Sequence, residues 1–122
     1  MNDRELLELA ARAAGVKARW FRVNQWRQVG GNKKQTGQED VFGTHHSKPW
    51  NPLKDDGDAL RLAVKRGLVV TPDRENQRTL VSNQAGHEYC AIYWDKLGEM
   101  AATRLAITEA AAEIGKSMGG VE

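Results

Sequence analysis

The chain has one cysteine, Cys90, in 122 residues, which excludes an intramolecular disulfide framework. It has no apolar run long enough to span a bilayer. The opening MNDRELLELAARAAG is interrupted by acids and carries no cationic segment ahead of an apolar core, so it does not read as a signal peptide. An excess of one charge is missing too: 18 Lys and Arg face 16 Asp and Glu, a net +2, with bases interspersed among acids. That balance supplies no broad drive toward a membrane and argues against nucleic acid as a partner. One cytoplasmic domain, residues 1–122, with one modest core is expected.

Motifs of catalysis are absent as well. There is no P-loop, GxGxxG, HExxH or cysteine pair. His87 and Cys90, three apart in an expected strand, face opposite sides, and Cys90 reads as a core residue. Ser82 and His87 lack a nucleophile elbow. His45-His46 would present diverging imidazoles, a poor start for a metal site. No catalytic residue, metal or cofactor is expected, and the chain reads as a binding protein rather than an enzyme.

What is present is a sequence of amphipathic segments. Asn2 to Ala14 reads as a helix, with Asn2 and Glu5 at capping-box spacing and Gly15 as its stop. Lys17 to Val23 is a strand candidate. From Asn24 to Lys48 the chain is polar and Gly-rich with no sustained period, apart from a short strand candidate at Val41-Phe42. Residues 24–49 are therefore expected to form a long inserted loop, a mildly basic flap. After a central helix, segments near 68–71, 79–82 and 87–94 are separated by short polar turns, which predicts an antiparallel meander. The last helix is expected from Lys96 to Ser117, capped by Asp95, with an apolar stripe of Leu97, Met100, Ala101, Ile107, Ala111, Ile114 and Met118. The fold class is α+β: a small, mainly antiparallel sheet with flanking helices, in α-β-α-β-β-β-α order.

The densest stretch is Trp50–Leu68, WNPLKDDGDALRLAVKRGL. Pro52 disfavours helix at Asn51, and Asp55 or Asp56 caps a helix whose first turn holds Asp58. Leu60, Ala63, Val64 and Leu68 then fall on one face, and Gly67 ends the helix. The three carboxylates either cap and solvate that helix or form a polar recognition site beside Trp50. Arg104 falls near the middle of the last helix's apolar stripe. A guanidinium there either pairs with a structural carboxylate such as Asp56 or Asp58, or faces a pocket and binds an anion.

The segments WNPLKDDGDALRLAVKRGL, AATRLAITEAAAEIGKSM and LLELAARAAG together resemble the phage ABA sandwich domain, a family of small bacteriophage and prophage proteins. The resemblance covers the first helix, the middle turn and helix, and the last helix. It implies a sheet between helical layers and a phage accessory protein in the cytoplasm of the host bacterium. Small phage proteins of this size include immune-evasion factors that sequester the nucleotide signals of bacterial defence. By that analogy the chain is expected to act as a sponge for a phosphorylated, nucleotide-like molecule, as a homo-oligomer. Trp50, Asn51, Asp56, Asp58, Arg104 and Lys48 form the expected site: the ring stacks a base, the cations hold phosphates, and the carboxylates read hydroxyls or an amine. The alternative is a module that inhibits a host protein through Trp26, Phe42 and Trp50. A nucleotide-hydrolysing enzyme built on Asp56, Asp58 and a metal has the least support.

Overall fold

The computed structural model describes residues 1–119. The fold is α+β, as the segment pattern predicts: three helices and two antiparallel three-stranded sheets. Among the described residues no helix is long and apolar enough to cross a membrane.

Helix α1 runs Asp3–Ala14. Asn2 Oδ1 accepts from the Glu5 amide at 2.8 Å, and Gly15 closes the helix with φ 68°, the left-handed geometry that glycine adopts without a Cβ penalty. The helix buries Leu6, Leu7 and four alanines. Helix α3, Glu99–Gly119, is the element that α1, the central helix and the second sheet all contact. Its approach to α1 is set by Gly115, where a Cβ would overlap the Leu9 carbonyl. The face that α3 buries is Ala102, Ala106, Ile107, Thr108, Ala110, Ala111, Ala112 and Gly115, while Leu97, Met100 and Met118 lie exposed. The expected stripe is therefore displaced, because small side chains and not the largest ones permit close packing on several sides. The helix also starts later than expected. Gly98 takes φ 86° and donates its amide to the Trp94 carbonyl at 2.7 Å, so Asp95–Leu97 form a turn.

The segment expected as a loop over residues 24–49 is instead mostly β-structure. Strand β1, Arg19–Val29, pairs antiparallel with β2, Asn32–Thr44, and the two-residue β3, Lys48–Pro49, adds to β2 at its root. A bulge interrupts the hairpin between Gln25 and Trp26. Period-two hydrophobicity is absent because neither face of the hairpin is buried from Arg22 to Asp40. Only the root joins the core, through Trp20 and Phe42, whose rings lie 4.9 Å apart.

Helix α2 spans Asp56–Arg66 between Asp55 and Gly67 as caps. It buries Asp58, Ala59, Leu62 and Ala63, so Leu60 and Val64 face solvent and not the core as their spacing suggested. The second sheet is the expected meander: β4 Val69–Asp73, β5 Arg78–Ser82 and β6 Glu88–Tyr93. Thr79 and Val81 of β5 are fully buried, and Thr79 Oγ1 accepts from Trp94 Nε1 at 2.9 Å.

Candidate functional site

The turn before α2 is held by its own side chains. Asp55 Oδ2 accepts from the Asp58 amide at 2.8 Å, which caps the helix. Asp58 turns inward: its Oδ2 accepts from the Asn51 amide at 2.9 Å and its Oδ1 from Arg61 Nη2 at 2.7 Å. Asn51 Oδ1 accepts from the Leu53 amide at 3.0 Å, an Asx turn that leads the chain out of Pro52. Arg104 reaches across from α3, donating from Nε to the Leu53 carbonyl at 2.9 Å and from Nη1 to Asp56 Oδ1 at 2.7 Å. Asp58, Asn51, Asp56 and Arg104 thus form one hydrogen-bonded clasp between α2, its preceding turn and α3. Of the two readings of Arg104, pairing with a carboxylate is the one its geometry realises.

Trp50 is only 8% exposed and sits edge-on to Phe42 at 6.1 Å, so it offers no free face for stacking a base. Of the three aromatic anchors considered for a protein partner, Phe42 and Trp50 are buried and only Trp26 is open to solvent.

A concave surface lies beside this clasp. One groove of about 530 Å³ is lined by Ala14, Val16, Thr44, Lys48, Pro49, Trp50, Asp58, Arg61, Leu62 and Lys65. A second, of about 960 Å³, shares Val16 and Thr44 and extends along Glu8, Arg12, Lys17, Arg19, Trp20, Phe42, His45 and His46. Lys48, Trp50 and Asp58 of the expected site line the first groove, whereas Asn51, Asp56 and Arg104 do not. Both Asp58 oxygens are engaged, and Glu8 accepts from Trp20 Nε1 at 3.1 Å. By contrast, no carboxylate stands within ion-pair distance of Lys17, Arg19, Lys48 or Lys65 among the described residues. The surface therefore carries an excess of positive charge over an apolar floor.

Sequence reasoning missed Arg61 and Lys65, although they lie four apart and so share one face of α2. Lys17 and Arg19 carried no signal of their own, since their placement depends on where the hairpin root folds back beside α1. His46 adds a local oddity. Its φ of 63° is left-handed, rare for a residue with a Cβ, and its ring lies tilted by 57° against that of His45, centroids 3.8 Å apart, where the chain leaves β2.

Cys90 lies elsewhere, on β6. Burial, followed by the nearby Glu109 and Glu88 charges, pushes its thiol up to about 12, and Sγ donates to the Ala106 carbonyl at 3.3 Å. A thiol so protonated packs and does not attack. Among the described residues no cluster of three or more His, Cys, Asp or Glu has the proximity to hold a metal. No protein-family model, curated protein or solved structure matches this chain.

Proposed function

We propose that this chain is a binding protein that captures a phosphorylated, nucleotide-like small molecule in the cationic groove at the root of the hairpin. The observation that carries the reading is the set of four cations without an ion-pair partner among the described residues, Lys17 and Arg19 beside Trp20 and Phe42 in one groove and Lys48 and Lys65 beside Trp50 in the groove that adjoins it. An anion held there gains charge-assisted hydrogen bonds without first breaking an ion pair. The apolar floor suits a planar base in contact at its edge, which is a different arrangement from stacking on Trp50. The exposed imidazoles of His45 and His46 supply further donors beside it.

The resemblance of WNPLKDDGDALRLAVKRGL to the phage ABA sandwich proteins supports a phage accessory role in the bacterial cytoplasm. On that reading the ligand is a nucleotide signal of host defence, and the protein removes it by binding it stoichiometrically. Both grooves are open, so a second copy would complete the enclosure. The exposed Leu60 and Val64, one turn apart on α2 beside Arg61 and Lys65, offer the apolar surface for that contact.

Native mass spectrometry of protein purified from phage-infected cells tests the proposal directly, together with thermal shifts across a panel of linear and cyclic nucleotides. A bound nucleotide present in the wild type and absent after Lys48→Glu and Lys65→Glu is the expected result. Ligand at a hundredfold excess over its Kd stabilises the fold by about 2.7 kcal/mol, well within reach of a thermal shift. A ligand-free wild type and no shift with any nucleotide would overturn it.

A further inference from the structure

The hairpin arm has no part in the groove beyond its root. From Arg22 through Gly30-Gly31 to Asp40 every residue is exposed, and a two-stranded ribbon continues past the last half-buried pair, Phe21 and Val41. At about 3.3 Å per residue, the ribbon extends roughly 25 Å beyond that pair. An isolated two-stranded hairpin is at best marginally stable in water, so an uncovered arm of this length calls for an occupant.

Its charge says which kind. The exposed arm, residues 22–40, holds four Lys and Arg against two Asp and Glu, so it carries the whole net charge of +2 and the rest of the chain balances. The near balance of the whole sequence thus conceals a segregation. Both acids, Glu39 and Asp40, lie toward the root, where Asp40 pairs with Arg22 at 3.4 Å and Arg4 at 3.7 Å. Toward the tip, Arg27, Lys33 and Lys34 have no carboxylate within ion-pair distance among the described residues. Arg27 and Lys34 are direct cross-strand partners, a like-charge pair that costs the free hairpin stability. An anion laid across the tip relieves that cost.

Register adds a second observation. Asn24, Trp26 and Gln28 of β1 share a face with Gln38, Gln35 and Lys33 of β2. Asn24 Oδ1 accepts from both Gln35 Nε2 at 3.1 Å and Gln38 Nε2 at 2.8 Å, which aligns the amides as a ladder. Carboxamides are the side chains that pair with adenine edges, and a two-stranded ribbon fits a major groove about 12 Å wide. A protein partner would instead require an apolar centre, and beyond the root the arm offers only Val23, Trp26 and Val29. A single-stranded ligand would want a series of stacking rings, and Trp26 is the one exposed ring on the ribbon.

We propose that the β1–β2 arm binds double-stranded DNA, with the amide face and Lys33 turned into the groove and Arg27 and Lys34, on the opposite face, reaching the phosphates at its lips. Fluorescence anisotropy of the full chain with a short labelled duplex, and with the single strand of the same length, tests this across a salt series. Two phosphate contacts predict that log K falls against log salt with a slope of roughly −1.8, and that the duplex binds more tightly than the single strand. The combined variant Arg27→Ala, Lys33→Ala, Lys34→Ala should raise Kd at least tenfold and flatten that slope. Its melting temperature should stay the same or rise, because the like-charge pair is gone. Iodide quenching of Trp26 should fall on binding in the wild type. Any of four results overturns the proposal: no duplex binding at low salt, undiminished binding by the folded triple variant, equal or tighter binding of the single strand, or equal displacement of the duplex by polyglutamate at matched charge. The last would point to an acidic protein partner.

Discussion

Arg104 on α3 holds both ends of one short segment: its Nε bonds the Leu53 carbonyl at 2.9 Å and its Nη1 bonds Asp56 at 2.7 Å. The two contacts differ in worth. Asp56 is 62% exposed, so its ion pair is screened and contributes within about 1 kcal/mol. The Leu53 carbonyl is partly buried, and losing its charged donor costs about 1–3 kcal/mol.

Urea unfolding should therefore separate the partners. Arg104→Ala is expected to lower stability by about 2 kcal/mol or more, and Asp56→Ala by less than 1 kcal/mol. A double-mutant cycle should return a coupling close to the small value. Equal losses in the two single variants would mean that the ion pair and not the carbonyl bond carries the clasp.

The helix contact at Gly115 makes a different prediction. Alanine there would gain about 1 kcal/mol of helix propensity, yet its Cβ would meet the Leu9 backbone, which has no side chain to swing away. Overpacking of this kind costs about 1–3 kcal/mol and outweighs the gain where backbone must shift. Gly115→Ala should lower the melting temperature, and Gly31→Ala, in the hairpin turn with open space around it, shows the effect of the added methyl where nothing is displaced. An unchanged or higher melting temperature for Gly115→Ala would show that α1 and α3 can separate at little cost.

Much of the helical skeleton was legible because its signals are local. Asn2 with Glu5, Gly15, Asp55 and Gly67 act within a turn of where they stand, and the structure uses all of them as caps. The rotation of α2 was not legible. Leu60 and Val64 look like a core stripe, but Asp58 must face inward to accept from the Asn51 amide, and that bond turns Ala59, Leu62 and Ala63 inward with it. The hairpin was hidden for the opposite reason. A ribbon exposed on both faces needs no hydrophobic alternation, so Lys33-Lys34 and Gly37 read as loop. Of the site, Lys48 and Trp50 were found beside their groove, while Lys17, Arg19 and Lys65 join them only through tertiary folding.

Cys90 offers a test of packing through chemistry. With its thiol pushed up to about 12 from an ordinary 9.0, mainly by burial, the thiolate fraction near pH 8 falls about a thousandfold. Iodoacetamide should label native protein correspondingly slowly, and labelling should speed up with the unfolding transition in urea. Since the folded state holds this proton more tightly than the unfolded chain, stability contributed here is lost as pH rises from 9 through 12. Rapid native labelling would mean that β6 opens locally from α3.

Glu109 gives the corresponding effect on the acid side. Its carboxyl is raised above the ordinary 4.5, first by burial and then by Glu113, with the N-terminal ammonium acting the other way. The folded state therefore binds the proton more tightly than the unfolded one, and the ionised form is penalised by folding. That penalty is absent below pH 4.5 and complete once pH exceeds the raised value. Asp73 acts in the opposite sense, because hydrogen bonds from Asn76 and Arg78 lower it; its stabilisation is present above 3.8 and is lost as pH falls through the lowered value. The two windows adjoin without overlapping, so Glu109→Gln isolates the first. The variant should be more stable than wild type at neutral pH, with the difference vanishing as pH falls below 4.5, as measured by thermal unfolding across that range. Removing the charge should also bring the Cys90 thiol part of the way back toward its ordinary value and so quicken its slow alkylation. A Glu109→Gln variant that melted below wild type at neutral pH would show that this carboxylate has a stabilising partner.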